Sequence, residues 1–174
     1  MTTATKLTLA RIALIPVFLV ILYWDFPGAR WSALLVFIIA SVTDTLDGYV
    51  ARHYHQVSNV GKFLDPLADK ILVAAAMCYL VGCGKMWAWV LAAVLLREFA
   101  VSGLRLVAVE QGQVIAAAWS GKVKTAATMV CICFMLVFDF PWLTILCQIV
   151  ILGTTLYSGV EYFIKNKTVF VGKP

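Results

Sequence analysis

Four aspartates in a strongly apolar chain are the residues best placed to do chemistry: Asp44 with Asp47, then Asp65 with Asp69. On a helix the first pair stands at i and i+3 and the second at i and i+4, so each pair shares one face of its own segment. Two such faces turned towards each other make a cluster of hard oxygen ligands. That donor set suits Mg2+ or Mn2+ and suits Zn2+ poorly, since no His or Cys stands among the acids. A charge at membrane depth costs roughly 2.5–3.5 kcal/mol on insertion scales, so acids beside hydrophobic spans need a partner, and a bound cation is the simplest one. Gly48 removes a side chain beside Asp47, which lets a bulky ligand approach the backbone. Arg52 offers a planar fork for phosphate oxygens. A second reading of the same acids is a cation or proton transit path, which would show flux in sealed vesicles without any other substrate.

The elements that position these residues follow from composition. The chain of 174 residues is 63% hydrophobic and 13% charged, far from the usage of soluble domains, and reads as an all-α, polytopic membrane protein. Apolar runs predict six transmembrane helices over about 9–24, 31–52, 61–81, 86–109, 119–138 and 142–164. The turns between them fall at Pro27-Gly28, at Gly82-Cys83-Gly84-Lys85, at Gly112 and at Asp139-Phe140-Pro141, because Pro and Gly punctuate helices. Residues 2–6 form a polar lead, expected as part of a short N-terminal interfacial helix with Thr8 and Arg11 at headgroup level. The first apolar run is too long for a signal h-region and reads as a retained span. Pro66 disfavours helical geometry at the residue before it, so Asp65 is expected at a helix start or a local kink.

Charge sets the orientation. Of the fourteen Lys and Arg residues, only Arg30 and Lys85 fall on one side of the six-span arrangement. The positive-inside rule then puts both termini, and the Asp44 to Asp69 stretch, in the cytoplasm. Trp24, Trp31, Trp87, Trp89 and Trp142 lie near the outer ends of spans, as interfacial anchors do. The formal charge of +5 is spread over helix ends and forms no nucleic-acid patch. The five cysteines (Cys78, Cys83, Cys131, Cys133 and Cys147) show no metal spacing and are expected as small core hydrophobes. His53 and His55 read as part of a polar connection. In the fourth span Arg97 and Arg105 share a face, with Glu98 beside them; this is either a structural ion pair or a site for an anionic ligand.

The acidic stretch resembles the signature of the CDP-alcohol phosphotransferases. Asp44, two residues, Asp47-Gly48, two residues, Ala51-Arg52, eight residues, Gly61, three residues, Asp65, three residues and Asp69 match it without a gap. Composition and charge predict a single domain over 1–174 in the inner membrane with a cytoplasm-facing polar cavity, and the resemblance implies a homodimer. It also implies two divalent ions, Mg2+ or Mn2+, held by Asp44, Asp47, Asp65 and Asp69, with Asp69 as the catalytic base. The cytidine diphosphate would be cradled by Asp44, Gly48, Ala51, Arg52 and Gly61. The runs Leu64 to Lys70, Arg97 to Arg105, Gly121 to Thr125 and Ser158 to Tyr162 are similar to the branch that transfers a phosphatidyl group from CDP-diacylglycerol to glycerol 3-phosphate. Serine, inositol phosphate and phosphatidylglycerol are the alternative acceptors. An acceptor with its own phosphate needs cations away from the metals, and Arg97, Arg105, Lys122 and Lys124 are the candidates by charge and topology. One departure stands at the N-terminus, where Ala4-Thr5 replaces the Pro-Asn pair usual in that branch. Substrate contacts by Thr8 and Arg11 are therefore left open.

Overall fold

The computed structural model describes residues 3–24, 26–53, 59–113, 115 and 118–167, with the side chains of 3–9, 11 and 44–69 outside that description. These residues form six α-helices: α1 Thr3–Tyr23, α2 Ala29–His53, α3 Asn59–Gly82, α4 Ala88–Glu110, α5 Trp119–Val137 and α6 Pro141–Lys165. Among the described residues there is no strand. The expected spans are present as helices with ends close to those read from the apolar runs. Two differences stand out. The polar lead is continuous with the first helix, and α3 starts at Asn59, so of the two places expected for Asp65 the helix start is replaced by a position inside the helix, where the expected local kink would fall.

The turns are set by backbone chemistry. Gly84 and Gly112 adopt φ of 70° and 72°, a left-handed conformation that costs glycine nothing. Each closes its helix in the same way. The amide of Lys85 donates to the Leu80 carbonyl at 2.9 Å, and that of Gln113 to the Ala108 carbonyl at 2.8 Å. Carbonyls that would otherwise be orphaned at a helix end are thereby satisfied.

The chain divides into two compact units, Met1–Tyr79 and Leu80–Pro174. In the first, Ile15, Phe18 and Leu22 of α1 and Ala33, Phe37 and Ala40 of α2 are buried, at the three- and four-residue spacing of a helix face. Phe18 meets Phe37 with ring centroids 5.8 Å apart, and Tyr23 meets Tyr79 edge-on at 5.3 Å. In the second unit α6 packs against both α4 and α5. Its buried stripe of Gln148, Ile151, Thr155, Ser158 and Tyr162 repeats every three or four residues, and it is mostly polar.

Large apolar side chains point outward instead: Leu96 is 73% exposed, Phe99 69% and Ile149 60%. Exposed apolar side chains on this scale are unusual for a monomer surrounded by water. Both α5 and α6 are long and apolar enough to cross a membrane by length and composition. The apolar stretches of α1, α2 and α3 with described side chains are shorter, Ile12–Tyr23, Ala29–Thr43 and Lys70–Gly82, while α4 carries Arg97, Glu98 and Arg105. With the composition, these helices mark a membrane protein. Cys131 and Cys147 are buried as expected, but Cys78 and Cys83 are exposed, so two of the five cysteines are not core residues.

Candidate active site

Asp44 and Asp47 fall within the helical backbone of α2, and Asp65 and Asp69 within that of α3. Each pair therefore keeps the i, i+3 or i, i+4 register that puts it on one face of its helix. Their side chains lie outside the described residues, as do those of Thr8, Arg11, Gly48, Ala51, Arg52, His53 and Gly61, and the whole of His55. What the backbone supplies is two short carboxylate ladders on two successive helices. The donor chemistry is uniformly carboxylate oxygen and fits Mg2+ or Mn2+. Among the described residues no three His, Cys, Asp or Glu side chains come together as an alternative metal site.

The four candidate cations of the second unit are fully described. Arg97 on α4 donates from Nη1 to Glu98 Oε1 at 3.0 Å and from Nη2 to Ser158 Oγ at 2.5 Å. Lys124 of α5 donates from Nζ to the same Glu98 oxygen at 2.6 Å. One carboxylate thus serves two cations, and the side chains of Arg97, Glu98 and Lys124 are only 12%, 18% and 5% exposed. Low local dielectric makes such pairing obligatory, because an isolated buried charge is very costly. Glycines admit the arginine: a Cβ at Gly121 or at Gly159 would stand 3.4 Å from the Arg97 side chain. The ion pair considered for Glu98 is therefore formed, with Lys124 as an added partner.

Arg105 does something different. Its Nε donates to the Tyr162 hydroxyl at 2.7 Å, and its guanidinium carbon lies 5.4 Å from the Tyr162 ring centroid. Lys122 is exposed on α5, a separate surface position. Thus the structure brings Arg97 and Lys124 together on one acid, holds Arg105 on a neighbouring tyrosine, and leaves Lys122 apart from those contacts.

Ser158 and Tyr162, partners of the two arginines, carry no sequence motif that announces that role. The available signal was their i, i+4 spacing on the polar stripe of α6. Ser120, Lys124 and Thr128 of α5 are likewise buried at i, i+4 and i+8. In this region Arg97 Nε, Thr128 Oγ1 and Thr155 Oγ1 have no hydrogen-bond partner among the described residues. An open groove of about 520 Å3 runs between α4 and α6, and Arg97 and Thr155 are the polar residues in its apolar lining.

Comparison with known proteins places these features in a family. The sequence pattern of the CDP-alcohol phosphatidyltransferase family matches residues 1–157. The CDP-diacylglycerol–glycerol-3-phosphate 3-phosphatidyltransferase of Bacillus subtilis (strain 168) is 44% identical over 179 residues, covering 92% of this chain and 93% of the relative. Proteins of the same name from Salmonella typhimurium (strain LT2) and Escherichia coli (strain K12) are 43% and 42% identical over 137 residues, 76% of this chain and 75% of each relative. With the acidic signature and these matches spanning nearly its whole length, the chain belongs to the CDP-alcohol phosphatidyltransferase family.

Proposed function

We propose that this chain transfers the phosphatidyl group of CDP-diacylglycerol to glycerol 3-phosphate, giving phosphatidylglycerol phosphate and CMP. The observation that carries this reading is the relative 44% identical over 92% of the chain, whose printed name states that transfer. The free primary hydroxyl of glycerol 3-phosphate attacks the phosphorus that bears the diacylglycerol. The bond from that phosphorus to the CMP oxygen breaks, and CMP leaves with the electron pair. Asp69 accepts the proton of the attacking hydroxyl, the work of a general base held close to its substrate. Asp44, Asp47, Asp65 and Asp69 would hold two divalent ions, Mg2+ or Mn2+, whose charge when bound neutralises the diphosphate and the departing CMP. Asp44, Gly48, Ala51, Arg52 and Gly61 cradle the cytidine diphosphate, and Arg97, Arg105, Lys122 and Lys124 draw the acceptor phosphate, Arg through a planar fork and Lys as a point charge.

The same reading makes the chain one multi-pass domain of the inner membrane, acting as a homodimer, with its site and both termini in the cytoplasm. The helices run from 19 to 25 residues, close to the roughly 20 residues that cross a 30 Å hydrocarbon core. The bias of Lys and Arg to one side supports the orientation, and cytosolic glycerol 3-phosphate would meet the site there.

The test is a reconstituted assay with purified protein, CDP-diacylglycerol, a panel of acceptors and a divalent metal, read as CMP release. Glycerol 3-phosphate is expected to be the preferred acceptor, exhaustive chelation to stop turnover, and Asp69→Asn to lower kcat by about 10²–10⁴-fold in a protein that still folds. Preference for serine or inositol phosphate would overturn the acceptor, and undiminished turnover by Asp69→Asn would remove the base.

A further inference from the structure

We infer that Tyr162 is a positioning residue that presets Arg105 as the fork for the acceptor's phosphate; this rests on the acceptor reading above. The four candidate cations differ in what they have left to give. Both terminal nitrogens of Arg97 are engaged, one by Glu98 and one by Ser158, and the Lys124 ammonium lies against Glu98 in a buried position. Lys122 is a flexible, exposed amine. Arg105 alone among them is held by Nε, which leaves the terminal N–H donors of its guanidinium in a fixed plane. That edge is the one that meets two oxygens of a phosphate at once.

The fixing group is itself fixed. Tyr162 is 2% exposed and belongs to a buried cluster with Val101, Leu104 and Ala108 of α4, residues that flank Arg105 on its own helix. At the end of α6 the Tyr162 carbonyl accepts from the side chain of Asn166 at 2.7 Å and from its backbone amide at 3.2 Å. The ring therefore cannot swing away without unpacking α4 from α6. A long side chain anchored at both Cα and Nε has lost most of its rotamer freedom before the ligand arrives, and preorganisation of this kind tightens binding. Arg105 is nonetheless exposed, so the phosphate of a small acceptor can reach it.

The experiment compares wild type, Tyr162→Phe, Arg105→Lys, Arg105→Ala and the double variant Tyr162→Phe/Arg105→Ala in the CMP-release assay, with KM measured separately for both substrates. Tyr162→Phe keeps the buried ring and removes only the hydroxyl. It is expected to raise KM for glycerol 3-phosphate about five- to tenfold, the scale of one typical net hydrogen bond. Its kcat and its KM for CDP-diacylglycerol should stay within about twofold. In the Arg105→Ala background the tyrosine change should add nothing, because the group it positions is gone. Arg105→Lys should lose as much as Tyr162→Phe or more, since an ammonium cannot form the fork; this exposed position reports even if the tyrosine variant folds poorly. An unchanged KM in Tyr162→Phe, or an equal effect with and without Arg105, overturns the positioning role. An unchanged KM in Arg105→Ala removes Arg105 from the acceptor site, and failure of wild type to use glycerol 3-phosphate instead refutes the function itself.

Discussion

Two of the polar clusters among the described residues of the second unit are built on opposite plans. At the α3–α4 turn, Lys85 pairs with Asp139 at 2.5 Å and donates to the Met135 carbonyl at 3.0 Å. Gln148, buried on α6, accepts from the Trp87 amide at 2.8 Å and donates to the carbonyls of Lys85 and Thr144, each at 3.3 Å. Charges balance, the partners are largely backbone, and none of the unpartnered buried atoms belongs to this cluster. It is a clip that closes loop ends. In the other cluster Arg97 and Lys124 share one carboxylate, Arg105 rests on a neutral tyrosine, and Thr155, Thr128 and Arg97 keep polar atoms without partners among the described residues. Under the acceptor reading proposed above, surplus positive charge and hydrogen-bonding capacity unfilled among the described residues suit an anionic ligand, whereas a balanced cluster has no such need of one.

The largest effect that sharpens this contrast should come from Glu98. Glu98→Gln leaves the Arg97 and Lys124 cations, 12% and 5% exposed, without their counter-charge, and removing one partner of a buried pair costs about 3–5 kcal/mol. Thermal unfolding in detergent should show a marked drop in midpoint, and adding Lys124→Met should recover part of it by restoring balance. If Glu98→Gln melted with wild type, the two cations would not depend on this carboxylate, and the contrast would fail.

Next in size is Gln148, the centre of the clip. Gln148→Leu strands the Trp87 amide and the Lys85 carbonyl, with an expected loss of about 1–3 kcal/mol. Because nothing in the clip is offered to a substrate, KM for glycerol 3-phosphate should stay within about twofold. A raised KM with unchanged stability would break the distinction between the two clusters. Asp139 is 53% exposed on its side chain, and Asp139→Asn should cost at most about 1 kcal/mol, as exposed ion pairs do.

These two clusters also mark what a sequence can and cannot disclose. Helix limits were legible because apolar runs are ended by Pro and Gly: α4 was expected at 86–109 and is Ala88–Glu110, and α6 at 142–164 and is Pro141–Lys165. The start of α3, expected near Gly61 and observed at Asn59, was legible to the same two residues. Pro66 constrains only its immediate neighbour and one upstream carbonyl, and the helix accommodates it from Asn59 onwards. The acidic stretch was legible as chemistry since all its spacing is local. The partners of the arginines were not, because Ser158 and Tyr162 lie 61 and 57 residues along the chain from Arg97 and Arg105. Periodicity says which residues share a face, but not which face of another helix they meet. Lys85 read as a topology marker and Asp139 as a turn residue; their pairing across two loops had no local signal either. A lone Gln in the apolar run of α6 was the one hint, since a buried amide needs partners.

The smallest expected effect separates spare capacity from hidden completion. Thr155 is 1% exposed, its hydroxyl has no partner among the described residues, and it lines the groove between α4 and α6. An isosteric Thr155→Val change would then remove a desolvated polar atom that contributes nothing to the fold, so stability should stay within about 0.5 kcal/mol or rise slightly. Thr128→Val, equally buried at 1% and also unpartnered, should behave alike. A loss of more than about 1 kcal/mol in either variant would mean that the hydroxyl already has a partner, such as an ordered water holding two or more polar groups. The cluster would then be as closed as the clip around Lys85. A stability unchanged by Thr155→Val, set beside the loss expected for Gln148→Leu, would instead place the difference between the two clusters in their hydrogen bonds, one set satisfied within the fold and the other left for what the site binds.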